Sequence, residues 1–316
     1  MTVATPLRPT MDEVLAGRER LQGVAIRTPL LQLWGSDSVW VKPEVLQPVG
    51  SFKMRGIYNA VAALSDEDRA RGVSTVSSGN TAQALAWAAR KFGVPARAIM
   101  PTTTPENKLR ATEAYGGTPD LRPFDEAFSY LRTGGYRDFP DAFIHPVANR
   151  DVVAGHGSIG LEIHEDMPDV ETVFVPIGGG GLISGISNAL KELTPSVRIV
   201  GVQPVGCTPV IAGLAAGMSV DVDVDTFCDG VAVGFMFPEM HELLRDLVDD
   251  IVTVTDDEVR AAIRHLALRN KIVAEGAGGL ATAAALQAGP SSGKTVAIIS
   301  GGSIDPAKLA DIITAE

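Results

Sequence analysis

Short apolar runs alternate with longer segments of helical spacing along nearly the whole chain, and that alternation leaves few folds open. The runs Val73–Val76, Ala96–Met100, Ala142–Ile144, Thr172–Pro176, Arg198–Val202, Asp250–Val254 and Thr295–Ile299 read as strands, with a further one starting at Val39–Val41. Between them, Met11–Leu21, Lys53–Leu64, Thr81–Phe92, Glu106–Tyr115, Glu126–Leu131, Ile159–Glu165, Leu182–Leu193, Asp256–Leu268, Glu275–Leu286 and Pro306–Ile313 read as helices. Strands separated by helices specify an α/β protein with a mainly parallel sheet, because parallel neighbours need a crossover that a helix supplies. The stretches Gly116–Asp120 and Gly134–Pro140 read as Gly/Pro-rich loops, and Cys207–Pro238 shows no clear period.

With 316 residues the chain can bury a substantial core, as one large or two medium domains. A formal charge of −11 sets a repulsive field against nucleic acid and anionic membranes, so a small-molecule ligand is expected rather than either of these. Met1–Arg18 carries Asp12 and Glu13 and has no secretory apolar core, and no apolar run reaches membrane-spanning length. Cys207 and Cys228 are too few for a disulfide framework or a metal cluster. A cytoplasmic protein is the expectation.

Four stretches carry candidate chemistry. Ser51-Phe52-Lys53-Met54-Arg55-Gly56 places one lysine between an apolar approach and a helix start. A partly desolvated lysine amine is nucleophilic and can form a Schiff base with an aldehyde, although most lysines in short polar stretches are surface charges. Gly178-Gly179-Gly180-Gly181 lies between a strand and a helix, where backbone N–H groups and the positive helix end can cradle a phosphate. A tight turn alone rarely needs four glycines, so the anion site is favoured. Ser77-Ser78-Gly79-Asn80 can offer hydroxyls, an amide and N–H groups to a carboxylate, and can equally cap the following helix. Ser300-Gly301-Gly302-Ser303 follows the last strand, where open α/β sheets hold ligands.

Other signals are weaker. Gly289–Thr295 ends in Gly-Lys-Thr, but the first glycine of a P-loop would fall at Ala288 and the segment runs into a strand. Gly276, Gly278 and Ala281 imitate a dinucleotide fingerprint without the acidic residue that contacts the ribose. The five histidines show no ligand spacing, and Asp256 with Asp257 suits a helix first turn.

Taken in order, the anchor lysine, the asparagine turn, the tetraglycine loop and the Ser-Gly-Gly segment make the chain resemble the fold type II pyridoxal-phosphate enzymes, which are tryptophan synthase β-like. Within them it is most similar to the serine/threonine dehydratase and serine racemase branch, from Arg27-Thr28-Pro29-Leu30 to Ser300-Gly301-Gly302-Ser303-Ile304-Asp305. The resemblance implies two domains with mainly parallel twisted sheets: residues 1–70 with 147–316 as a large cofactor-binding domain, and 71–146 as a small mobile one. It implies that Lys53 holds pyridoxal 5'-phosphate covalently beside Phe52, that Asn80 bonds the ring hydroxyl, and that Gly178, Gly179, Gly180 and Gly181, with Leu182, hold the phosphate. It further implies that Ser300 faces the pyridine nitrogen and Glu275 borders the ring, that Ser77, Ser78, Gly79, Asn80 and Thr81 bind substrate, that Lys53 takes the Cα proton, and that Ser78 is a second acid/base in the racemase pattern.

The expected reaction is conversion of a β-hydroxy-α-amino acid, L-threonine or L-serine, to a 2-keto acid and ammonia by a homodimer. Alternatives are a racemase using Lys53 and Ser78, a β-replacing enzyme, and a cofactor-binding regulatory protein without turnover. The branch usually has histidine where this chain has Thr81. Metal-dependent members place a glutamate at Gln203 and carboxylate support near Cys207 and Pro209, so no divalent metal is expected there. Regulation through a C-terminal module is not expected either.

Overall fold

The computed structural model describes residues 7–289 and 293–315. By packing, the chain divides into two compact units, one of Met1–Ala25 with Lys53–Gly155 and the other of Ile26–Phe52 with His156–Glu316. Among the described residues the strands are β1 (Leu31–Gln32), β2 (Val39–Pro43), β3 (Val73–Val76), β4 (Ala96–Pro101), β5 (Thr118–Arg122), β6 (Ala142–Phe143), β7 (Thr172–Pro176), β8 (Arg198–Pro204), β9 (Asp250–Val254) and β10 (Thr295–Ile299).

The unit containing Lys53 holds a four-stranded sheet in the order β5-β4-β3-β6, parallel throughout. Its central strand β3 is buried along its whole length, which is why Val73–Val76 reads as a continuous run rather than an alternation. The helix Asn80–Phe92 follows directly and packs alanines, Ala82, Ala84, Ala86, Ala88 and Ala89, into the core before Gly93 ends it at φ 68°. The stretch read as a loop at Gly116–Asp120 instead runs into β5, an edge strand, where Pro119 is tolerated because one side of the strand has no ladder partner.

The other unit holds a six-stranded sheet in the order β1-β2-β10-β7-β8-β9. All its pairs are parallel except the short β1 against β2. Its core gathers Val41, Val200, Val202, Ile263, Leu280, Ala297 and Ile299 from strands and covering helices. Within the aperiodic Cys207–Pro238 stretch lie a helix, Pro209–Ala216, and a 3-10 turn, Asp229–Val231.

The helix read over Ile159–Glu165 begins at Arg150 and ends at Asp166. Gly155 sits where a Cβ would stand 2.6 Å from the Arg55 carbonyl oxygen and 2.8 Å from Gly56 Cα, so glycine lets this helix cross the Lys53–Ala63 helix backbone to backbone. Gly160 does the same for the Gly181–Leu193 helix, 2.7 Å from the Ile186 carbonyl oxygen. No helix among the described residues is long and apolar enough to cross a membrane.

Candidate active site

Three of the candidate stretches leave the carboxyl ends of parallel strands, Ser77 after β3, Gly178 after β7 and Ser300 after β10, and Lys53 follows seven residues beyond the 3-10 turn Glu44–Leu46 that β2 enters. In open α/β sheets that is the end at which ligands bind.

In the six-stranded unit the backbone ahead of Lys53 is stapled to the Ser300 loop. The Phe52 N–H donates to the Ser300 carbonyl at 2.9 Å, Ser51 and Gly301 form an antiparallel bridge, and the Gly302 N–H donates to Gly50 at 3.0 Å. The Phe52 ring rests edge-on against buried His156, centroids 4.8 Å apart. Glu275 joins the same cluster, since its N–H donates to Gly301 at 3.0 Å and its side chain is buried. These contacts explain the glycines. A Cβ on Gly278 would stand 2.2 Å from the Gly301 oxygen, and one on Gly302 2.7 Å from the Val273 oxygen. The dinucleotide-like glycines are therefore packing positions. Of the P-loop-like stretch, residues 290–292 lie outside those described, and Thr295 opens β10.

The tetraglycine turn joins β7 to the helix Gly181–Leu193, and its backbone adopts φ 97° at Gly180, a left-handed conformation that favours glycine. A Cβ on Gly178 would meet Val231 Cα at 3.0 Å, and one on Gly180 would meet Leu244 Cδ1 at 3.1 Å. Val231 and Leu244 thus pack closely on the turn, which stands at the positive end of a 13-residue helix, the kind of place where backbone N–H groups can receive an anion. Leu182, one residue into that helix, is buried. Sequence reading missed the segment Cys228–Val231, which links this turn to Glu275: a Cβ on Gly230 would stand 2.9 Å from Ala277 Cβ and 3.6 Å from Glu275 Oε1. Its only signal is the Asp-Gly pair inside an aperiodic stretch.

In the four-stranded unit Lys53 opens the helix Lys53–Ala63 and is half-buried. Near it lies His145, which the sequence gave no reason to single out. Its Nδ1 accepts from the Val147 and Ala148 N–H groups at 3.2 and 2.8 Å. Burial, and then the charge of Lys53, push this imidazole down from 6.5 to about 4. The ring is therefore neutral with its proton on Nε2. As the pH falls the unfolded chain protonates His145 before the folded one does, so stability present above about 6.5 is lost on the way to about 4. Between about pH 7 and about pH 5 the loss is about 2 kcal/mol. Urea titrations at both pH values are expected to show this loss in the native protein and a smaller one in His145→Asn. An identical pH response in the two proteins would remove His145 from the account.

Ser77, Ser78, Gly79, Asn80 and Thr81 form one turn entering the helix Asn80–Phe92. Ser77 Oγ accepts from the Gly79 N–H at 3.2 Å, and the Gly79 carbonyl accepts from Gln83 N–H at 3.2 Å. Thr81 is buried and Ser78 half-buried.

Gln203, the position the resemblance marks as a metal site in metal-dependent members, is fully buried and its Oε1 accepts from the Ile211 N–H at 3.2 Å, while the Cys207 thiol lies 3.6 Å from the Val233 carbonyl. Among the described residues no group of three or more His, Cys, Asp or Glu is placed to hold a metal.

A glycine-only turn at a helix N-terminus, a buried neutral serine and a lysine at a helix start are each of the chemistry a phosphorylated aldehyde cofactor requires. The family model described as pyridoxal-phosphate dependent enzyme matches residues 21–301. The chain is 42% identical over 311 residues to an L-threonine ammonia-lyase of Thermotoga maritima, covering 94% of this chain and 76% of that protein. It is 35% identical over 323 residues to the L-threonine dehydratase catabolic TdcB of Escherichia coli K12, covering 99% and 98%. Among solved structures, maize serine racemase superposes with a TM-score of 0.90 at 32% identity, covering 96% of each chain. Since the family match takes in the lysine loop, the Ser77–Thr81 turn, the glycine cradle and the start of the Ser300 loop, the chain belongs to the pyridoxal-phosphate dependent enzymes, of fold type II.

Proposed function

We propose that this protein is an ammonia-lyase that converts L-threonine, and L-serine as a second substrate, to the 2-keto acid and ammonia. The observation that carries the reading is near-full-length likeness to threonine ammonia-lyases, together with a lysine at the start of a helix whose preceding residue is hydrogen-bonded to Ser300.

In this reading Lys53, Phe52, Asn80, Gly178–Gly181, Leu182, Glu275 and Ser300 would hold the cofactor. Pyridoxal phosphate, when bound, supplies the sink for the electron pair left at the substrate's Cα. The Lys53 amine takes the Cα proton. The turn from Ser77 to Thr81 binds the carboxylate with hydroxyls and N–H groups at a positive helix end. Ser300, a buried neutral hydroxyl rather than a carboxylate, would face the pyridine nitrogen and would not hold a full positive charge there, which would favour loss of the β-hydroxyl, as water once protonated, over a lasting negative charge at Cα. The reading carries with it a cytoplasmic homodimer.

Keto acid release from purified protein, assayed with L-threonine, L-serine and their enantiomers, tests this. Release from the L-forms is expected, and EDTA treatment is expected to leave the rate within about twofold, since Gln203 and Cys207 are poor hosts for a hard cation. Loss of activity on chelation, restored by a divalent ion, would contradict the metal-free part. A racemase is the second reading, favoured by Ser78 in the carboxylate turn and by the likeness to maize serine racemase. Inversion without keto acid, followed by chiral chromatography, would replace the first reading by the second.

A further inference from the structure

The helix Glu106–Ala114 places one side chain against the substrate turn. Lys108 lies in its first turn, where its N–H donates to the Pro105 carbonyl at 3.0 Å and its own carbonyl accepts from Thr112 Oγ at 3.0 Å. The outer half of the Lys108 side chain lies across Gly79: a Cβ built there would stand 3.4 Å from Cδ, 3.5 Å from Nζ and 3.7 Å from Cε. The end of the Lys108 side chain thus lies at van der Waals distance from the Gly79 position. The five residues of that turn, Ser77 to Thr81, include no acid. The acid in the first turn of Lys108's own helix, Glu106, is bonded to Arg110 at 2.9 Å. An ammonium held on a neutral turn, at the positive end of a 13-residue helix, adds to a field that favours an anion.

We propose that Lys108 is a positioning residue for the substrate, supplying beside the Ser77–Thr81 turn the positive field in which the carboxylate of an α-amino acid settles. The proposal rests on the lyase reading for the identity of the substrate, and it makes a free α-carboxylate a condition of tight binding. The turn's hydroxyls and N–H groups orient the carboxylate, and Lys108 makes the charge count.

The test uses the cofactor-loaded protein, with Lys108→Met and Lys108→Arg, the folding of each checked by its thermal midpoint. For Lys108→Met the KM for L-threonine is expected to rise about 10- to 30-fold with kcat within about threefold, and Lys108→Arg is expected to restore KM to within about threefold of the native value. Binding of L-threoninamide, followed by the change in cofactor absorbance, is expected to be equal in native and Lys108→Met protein, because the amide carries no negative charge. The native KM rises with salt, and that of Lys108→Met does not. An unchanged KM in Lys108→Met, or an equal weakening of acid and amide, would overturn the proposal. If native protein releases no keto acid from L-threonine the lyase reading fails instead, and the comparison of amino acids with their amides by absorbance still decides the role of Lys108.

Discussion

Replacing Lys53 with alanine is expected to lower keto acid release from L-threonine by about 10,000-fold or more while leaving the fold intact. On the proposed reading two functions leave with the amine, the covalent hold on the cofactor and the base that takes the Cα proton. The fold is expected to persist for local reasons. Lys53 is the first residue of its helix, where alanine is at least as good a helix former. The staple ahead of it, Phe52 N–H to the Ser300 carbonyl, uses backbone atoms that the substitution does not touch. Steady-state kinetics with a thermal melt of the same preparation reads both halves. A variant retaining more than about a hundredth of the native kcat would show that another group does the work.

Truncating Glu162 to alanine is expected to give the largest loss of stability, about 3–5 kcal/mol. Glu162 is bonded at 2.6 Å to Lys42, whose side chain is fully buried in β2 and also donates to the Thr28 carbonyl at 2.5 Å. Around them Thr28 Oγ donates to Glu44 at 2.8 Å, and Gln47 pairs with the backbone of Ile26 at 2.7 and 3.0 Å. This network ties the segment Ile26–Thr28 and the helix Arg150–Asp166 to the strand that leads to the lysine loop. Removing the Glu162 carboxylate takes a 2.6 Å partner from the buried Lys42 ammonium in a low-dielectric interior, where desolvation is costly. The pair Lys42→Met with Glu162→Leu removes both charges at similar volume and is expected to be more stable than either single variant. Urea midpoints of the three proteins check this. A Glu162→Ala protein within about 1 kcal/mol of the native one would mean the interior there is wetter than its geometry implies. The exposed pair of Arg27 with Glu165 and Asp166, by contrast, contributes little.

The parts of this molecule that were legible in its sequence are those set by local chemistry. The runs Val73–Val76, Thr172–Pro176, Asp250–Val254 and Thr295–Ile299 are strands with the expected ends, because each is an apolar run bounded by turn residues. The tetraglycine turn was legible because four glycines in a row are costly without a reason, and here Val231 and Leu244 supply two of them. The start of the helix at Arg150 was not, since Gly155 and Gly157 argue locally against a helix. What offsets that cost at Gly155 is the close crossing with Arg55 and Gly56, a contact about a hundred residues away in sequence. β5 was hidden by Gly116, Gly117 and Pro119, punctuation that an edge strand tolerates. His145, Lys108 and Gly230 share one property: their neighbours Lys53, Gly79 and Glu275 are distant in sequence, and no spacing rule connects them. The candidate residues themselves lay on strand ends and helix starts, so their neighbourhoods could be foreseen while their supporting contacts could not.

The central claim is a covalent bond between one lysine and the cofactor, and borohydride reduction followed by peptide mass spectrometry reads it most directly. Reduction of the yellow, cofactor-loaded protein is expected to fix a phosphopyridoxyl group on the peptide carrying Lys53 and to leave every other lysine peptide unchanged. A Lys53 peptide of unaltered mass, or the addition found on a different lysine, would contradict the account.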